Sequence, residues 1–235
     1  MTEHHLTVQR TARYHQLSTP SAATRRVWFV CHGYGQLAGF FVRHFAALAA
    51  ADPTLVVVAP EGLSRFYLQG NDGRVGASWM TRDSRLHEID DYVGFLNQLA
   101  DRVLSQCTAD VRVTVLGFSQ GTATAGRWLA RAAFRPTRLV LWAGAFPPDV
   151  DPDAAGRLLR GLTVTLVAGD RDEYMTPDLV KEQQAHLKRL GAAPALLTFG
   201  GGHELNQEVI AQLSQSEGPL VSPVAEKWSK LRLEP

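Results

Sequence analysis

Apolar positions along the chain follow two alternating patterns. Six short runs, residues 27–31, 55–60, 111–117, 138–142, 164–169 and 195–199, are rich in β-branched side chains and do not alternate with polar ones. Parallel strands read this way when helices cover both faces of their sheet. Between the runs lie segments with apolar residues at helical spacing. Residues 40–51 carry Phe41, Phe45 and Leu48, and residues 85–106 carry Ile89, Val93, Leu96, Leu99 and Val103. Further helices are predicted over 120–134, 177–190 and 204–214, the last with Leu205, Val209, Ile210 and Leu213. Such an order predicts a doubly wound, mostly parallel α/β sheet with right-handed crossovers. Residues 6–17 are read as one or two antiparallel edge strands.

Two connections carry information by their length. The link 143–163 holds Pro147, Pro148, Pro152 and one short helix near 154–160, which leaves no room for a helical cap domain over the sheet. The link 61–84, with Phe66, Tyr67, Trp79 and Met80, reads as a long loop, and loops of that length are usually functional. No repeat, low-complexity block or linker divides the chain. It is read as one domain over 1–235, with its core at about 27–214 and a helical tail over 221–233. That tail, with Trp228 and Leu231, is expected to dock on its own domain, with pairing in a homodimer as the alternative.

Composition narrows the function classes. The 235 residues are 45% hydrophobic and 20% charged, enough apolar content for a full core. A net charge of +1 gives no field to gather nucleic acid or an anionic membrane. Two cysteines, Cys31 and Cys107, are too few for a disulfide framework, and Cys31 ends an apolar run as a small core residue would. The first fourteen residues lack the apolar segment of a signal peptide, and no apolar run is long enough for a transmembrane helix. A cytoplasmic protein without stable membrane insertion is the expectation. No Cys/His/carboxylate cluster has metal-ligand spacing, so no metal is expected.

The candidate chemistry starts at Gly117-Phe118-Ser119-Gln120-Gly121, between a predicted strand and a predicted helix. At Gly and Ser frequencies of roughly 7%, a bare G-x-S-x-G arises by chance in about one chain in ten of this length. The flanking strand and helix are what make it a nucleophile elbow. A serine hydroxyl needs a positioned base, and the base needs an orienting group. After Ser119 come Gly169-Asp170-Arg171-Asp172 at a strand end and then Gly200-Gly201-Gly202-His203 after the last strand. The order serine, acid, histidine suits an elbow of this kind. His203, on a glycine-rich loop before a helix, is the expected base. Both Asp170 and Asp172 are open as the acid: Asp170 could hold its own turn through backbone N–H bonds, and Asp172, further out, is the better placed. Asp151 and Asp153 read as loop residues. Backbone N–H groups of Gln120 and Tyr34, the latter in His32-Gly33-Tyr34-Gly35-Gln36, are the expected oxyanion donors, and His32 reads as an anchor for that loop. Phe40, Trp79, Met80 and Phe146 are candidates for a pocket wall.

His32-Gly33-Tyr34-Gly35, Gly117-Phe118-Ser119-Gln120-Gly121, Gly169-Asp170-Arg171-Asp172 with Thr176-Pro177, and Gly202-His203-Glu204 together resemble the carboxylesterase/phospholipase family of α/β-hydrolases. This group includes bacterial serine esterases, lysophospholipases and acyl-protein thioesterases. The resemblance runs from about Trp28 to Leu213. It implies Ser119, Asp172 and His203 as a catalytic triad, no cofactor, an uncapped site, and short or medium acyl esters as substrates, with thioesters and lysophospholipids as further candidates. There are departures: Tyr34 stands where members often have Leu, Thr122 where they often have Gly, and Thr176-Pro177 replaces Val-Pro. Tyr34 and the 66–80 segment would form a bulky rim where an acyl chain lies. The rival readings are an acyltransferase or another enzyme on the same fold, and a non-catalytic binder of a small ligand.

Overall fold

The structure, a computed structural model, describes residues 1–215. The tail expected over 221–233 lies outside the described residues.

All six expected apolar runs form strands, β2 (Arg26–Cys31), β3 (Leu55–Pro60), β6 (Arg112–Phe118), β7 (Arg138–Trp142), β8 (Thr163–Gly169) and β9 (Ala195–Phe199). A seventh, β1 (Tyr14–Leu17), pairs antiparallel with β3 at the sheet edge. The order is β1-β3-β2-β6-β7-β8-β9, with every pair from β3 to β9 parallel. Only one edge strand forms in the 6–17 segment, because Leu6 and Val8 meet no apolar surface and stay exposed.

Successive strand residues point to opposite faces, and the core divides accordingly. Val27, Phe29, Val113, Val115, Leu139 and Leu141 pack under α3 (Arg85–Leu104), α4 (Gln120–Leu129), α5 (Pro152–Leu159) and α6 (Pro177–Arg189). On the other face Trp28, Val30, Leu116, Val140 and Val167 pack under α1 (Ala38–Phe41), α2 (Ala46–Ala51) and α7 (Gln207–Gln215). This two-sided burial is why the strands carry mostly apolar runs.

Three expectations need correction. The helix predicted over 40–51 is three pieces, with a 3₁₀ segment (Val42–Phe45) between α1 and α2. In a 3₁₀ turn residues i and i+3 eclipse, which sets Val42 and Phe45 together against the sheet. The helix predicted to reach 134 stops at Leu129, and Phe134 folds back onto Trp128 and Phe29. Most important, the link 61–84 is not an unstructured loop. It holds an antiparallel hairpin, β4 (Ser64–Gln69) and β5 (Asp72–Ser78), turned through Gly70 with Gly73 at positive φ beyond it. Gly70-Asn71-Asp72-Gly73 is a turn signal between residues of high strand propensity, and only the hairpin pairing satisfies that backbone.

Between β7 and β8 the chain carries a turn and the eight-residue α5, capped by the Asp151 carboxylate on the Ala154 N–H (2.8 Å). Asp151 is thereby a helix cap and Asp153 an exposed first-turn residue. The architecture is a doubly wound, mostly parallel α/β sheet.

The chain leaves β2 for β3 on one side and returns to β6 on the other. β2 is therefore where the strand order reverses, and the carboxyl ends of β2 and β6 form the crevice in which such folds bind ligands. Trp128 locks α4 onto this sheet: fully buried, its ring meets Phe29 edge-on at 5.4 Å. Trp128→Ala is expected to cost about 3–5 kcal/mol, read as a lower urea midpoint with the secondary structure retained.

Candidate active site

Ser119 stands where β6 turns into α4, and its backbone is forced to φ 54°, ψ −118°. A non-glycine residue there costs about 1–3 kcal/mol. Three hydrogen bonds hold it: the Ser119 N–H donates to Trp142 O (2.9 Å), and Ser119 O accepts from the Thr122 N–H (3.0 Å) and hydroxyl (2.7 Å). At about 0.5–1.5 kcal/mol net each, they are enough to offset the strain. The turn also demands bare backbone at two places. A Cβ on Gly117 would overlap Gly121 O and Thr122 Cα, and one on Gly121 would overlap the carbonyls of Cys31 and His32. This is the physical content of the two glycines in the motif.

His203 reaches Ser119 from the loop after β9. Its Nε2 lies 2.9 Å from Ser119 Oγ, and its Nδ1 lies 3.0 and 3.1 Å from the Asp172 carboxylate oxygens. A carboxylate only accepts, so Nδ1 carries the proton and Nε2 presents its lone pair to the hydroxyl. The Trp142 indole N–H holds the loop by donating to Glu204 O (2.9 Å). The imidazole sits between two rings, Phe118 at 5.1 Å and Tyr174 at 4.7 Å.

The two aspartates separate cleanly. Asp172, 5% exposed, also accepts the N–H groups of Tyr174 (2.8 Å) and Met175 (3.0 Å) on Oδ1. Asp170 instead accepts the Gly201 N–H (2.9 Å) and leans toward Arg171, so it ties the β8 loop to the β9 loop without touching the imidazole.

Two candidate backbone donors stand on segments next to the serine. The Gln120 N–H opens α4, in the turn where helical N–H groups lack intrahelical partners. The Tyr34 N–H makes no hydrogen bond among the described residues. Tyr34 follows Gly33, at which a Cβ would lie 3.2 Å from Ser119 Cβ. This loop is tied down by the Gly33 N–H to Gln36 Oε1 (2.8 Å) and by the Gly35 N–H to Ala77 O of β5 (2.9 Å).

His32 sits beneath the loop with no exposed surface. Its Nδ1 meets Gly33 O at 2.7 Å and its Nε2 accepts the Gly62 N–H at 3.0 Å, the pattern of a neutral ring protonated on Nδ1. Burial holds its pKa below the ordinary 6.5, against the opposing pulls of Gly33 O and the Glu61 carboxylate. Cys31, one residue earlier, is a free and fully buried thiol whose pKa burial pushes up, so it is an unreactive core residue.

The four pocket-wall candidates scatter. Trp79 and Phe146 are 1% exposed within the apolar core and do not line an open site, a correction that follows from their packing against α3 and α4. The Trp79 indole N–H donates to His32 O (2.8 Å), so its work is to anchor the His32 loop. Met80 is half-buried, its carbonyl accepting Gln120 Nε2 (2.8 Å), and Phe40 is exposed beneath the Arg43 guanidinium. Sequence reasoning missed the Gln120 side chain, which also accepts the Trp79 N–H (3.1 Å) and so clips β5 to the elbow. It also missed Glu61, a 2%-exposed carboxylate that accepts Arg13 and the Ala38 N–H, pinning α1 beside the site. A charge directly after the apolar run 55–60 was the available signal.

No family model matches the chain, and no curated protein matches it. Solved structures do share its architecture. Esterase PE8 superposes with a TM-score of 0.66 over 88% of this chain and 97% of its own, at 20% identity. Acyl-protein thioesterase 2 of Zea mays gives 0.66 over 87% and 97%, at 19% identity. A carboxylesterase from Mesorhizobium loti gives 0.64 over 87% and 93%, at 23% identity. At these identities the likeness is one of fold, and the fold is that of the α/β-hydrolases. Among the described residues no group of three or more His, Cys, Asp or Glu could hold a metal ion, and no helix is long and apolar enough to cross a membrane.

His32 makes a pH test. Its folded-state pKa lies below the unfolded value, so the unfolded chain binds the extra proton and stability falls as pH drops below about 6.5. Urea midpoints of the wild type are expected to fall between about pH 7 and pH 5.5. In His32→Asn, less stable at neutral pH, that fall should be shallower.

Proposed function

We propose that the protein is a serine hydrolase that cleaves short to medium acyl carboxylic esters through an acyl-enzyme. One observation carries this reading: the continuous chain Ser119 Oγ, His203 Nε2, His203 Nδ1 and Asp172, at 2.9 and 3.0 Å, on the crevice end of the sheet. The esterase and thioesterase structures that share the fold support it.

In this reading His203 Nε2 takes the Ser119 proton as Oγ attacks the ester carbonyl carbon. Negative charge gathers on the carbonyl oxygen and is met by the Gln120 and Tyr34 N–H groups, the first reinforced by the positive end of α4. The carbon–oxygen bond to the alcohol breaks, and His203 returns its proton to the departing oxygen. Water then adds to the acyl carbon as it gives a proton to the same nitrogen, the carbon–Oγ bond breaks, and His203 returns that proton to Ser119 Oγ as the acid leaves. Asp172 keeps the ring in one tautomer and stabilises the imidazolium formed in each half. Thioesters are the second reading, because the same steps serve a sulfur leaving group and one of the fold relatives is a thioesterase.

Ser119→Ala is expected to abolish hydrolysis of a short p-nitrophenyl ester and labelling by a fluorophosphonate probe while the fold persists; near-parental turnover would end the reading. Absence of labelling in the wild type would favour a small-ligand binder. Asp172→Asn should lower turnover by on the order of 10⁴-fold, and Asp170→Asn by far less, with the reverse ranking moving the acid.

A further inference from the structure

We infer that Tyr174 forms a leaving-group subsite, so that the enzyme takes esters of aromatic alcohols in preference to those of small alkyl alcohols. The inference rests on the hydrolase reading and deepens it.

The argument begins with the proton. Nε2 of His203 must hand its proton to the departing oxygen, so that oxygen has to come within about 2.6–3.2 Å of it. Whatever substituent the oxygen carries then lies beside the imidazole. Two rings flank that imidazole, but only one can touch a substrate. Phe118 is 4% exposed and belongs to the core on the α1/α7 face. Tyr174, with its ring centroid 4.7 Å from that of His203 and tilted by 59°, is 69% exposed.

An aromatic ring this open gains little for the fold, yet its backbone is held firmly. The N–H groups of Tyr174 and of Met175 both bind Asp172 Oδ1, Asp172 N–H binds Gly169 O, and Arg171 N–H binds Gly201 O. Met175, next along, is 8% exposed and anchors the turn in an apolar cluster with Ala168 and Val180. A large apolar face is therefore presented to solvent on a rigid base beside the imidazole that protonates the leaving group. Preorganisation of this kind lowers the entropy lost on binding. A planar aryl substituent can pair with the tyrosine edge-to-face or offset, an arrangement that gives aromatic pairs more than their buried area does. An ethyl group offers neither the area nor the geometry. A second aromatic surface, Tyr34 against Phe66 at 5.1 Å, belongs to the loop of the candidate oxyanion donor and is left for the acyl portion.

Once the alcohol has left, the subsite is empty, so it acts on acylation alone. The test compares phenyl butyrate and ethyl butyrate by acid release in a pH-stat, for wild type, Tyr174→Ala and Tyr174→Phe. Tyr174→Ala should lose about three- to tenfold in kcat/KM for the phenyl ester and less than twofold for the ethyl ester, with Tyr174→Phe close to wild type on both. The deacylation rate, from the slow phase after a burst with p-nitrophenyl butyrate, should be unchanged. An equal loss on both esters, or a slower deacylation, would mean that the ring only supports His203 and would overturn the inference. No loss on the phenyl ester would overturn it as well. If the wild type hydrolyses neither ester and Ser119 takes no fluorophosphonate, the hydrolase reading itself fails, a result distinct from either of these.

Discussion

The close backbone crossing at the carboxyl end of β6 is the constraint from which the rest of the site follows. There the strand turns into α4 with no residues to spare, which is possible only where the Cys31 and His32 carbonyls can press against an unsubstituted Gly121 and where Gly117 passes beneath it. That contact locks β2 against the start of α4. It also forces Ser119 into a backbone conformation that the chain tolerates because Trp142 O and Thr122 satisfy its polar groups. The serine side chain is thereby aimed outward at the one place where the strand order reverses. A substitution that relaxed the crossing would remove the strain and the aim together.

Around this crossing the neighbouring loops are tied by polar side chains buried just behind the surface. His32 bonds to Gly33 and Gly62, Gln120 reaches Trp79 and Met80, and Glu61 gathers Arg13 and the start of α1. Each tie runs from one strand end to another, so the carboxyl ends of β2, β3, β5 and β6 form one rigid rim. The loops after β8 and β9 are joined in the same manner by Asp170 and by backbone bonds between Arg171 and Gly201. Burial makes these ties strong, and it also keeps His32 neutral and Cys31 inert. The site is thus assembled from two preorganised halves, with the Ser119–His203 contact bridging them.

The parts that were legible in the sequence share one property: their signal is local. Six parallel strands were readable because burial on both faces leaves few polar positions, such as Thr114 and Thr165, within their apolar runs. Ser119 was readable because an elbow needs its glycines within two residues of it. The errors have equally physical causes. Trp79 and Phe146 look like pocket residues because an aromatic side chain reads the same whether it faces a cavity or a core. The hairpin at β4 and β5 was missed because a long connection with scattered aromatics resembles a loop until its turn residues are weighed. Phe134 extended a helical periodicity although its ring returns to the core from outside the helix.

By itself the chain determined the class of its sheet, the elbow serine and the histidine that faces it as candidates, and the short list of two aspartates, since each depends on residue type and on spacing along the backbone. Only the tertiary structure set Asp172 rather than Asp170 against the imidazole, brought Tyr174 beside that ring and turned the Gln120 side chain into a clip on Trp79 and Met80. Those outcomes depend on which loop packs beside which. Loops distant in sequence meet because the sheet sets their strands side by side, and no periodicity within either loop records the meeting.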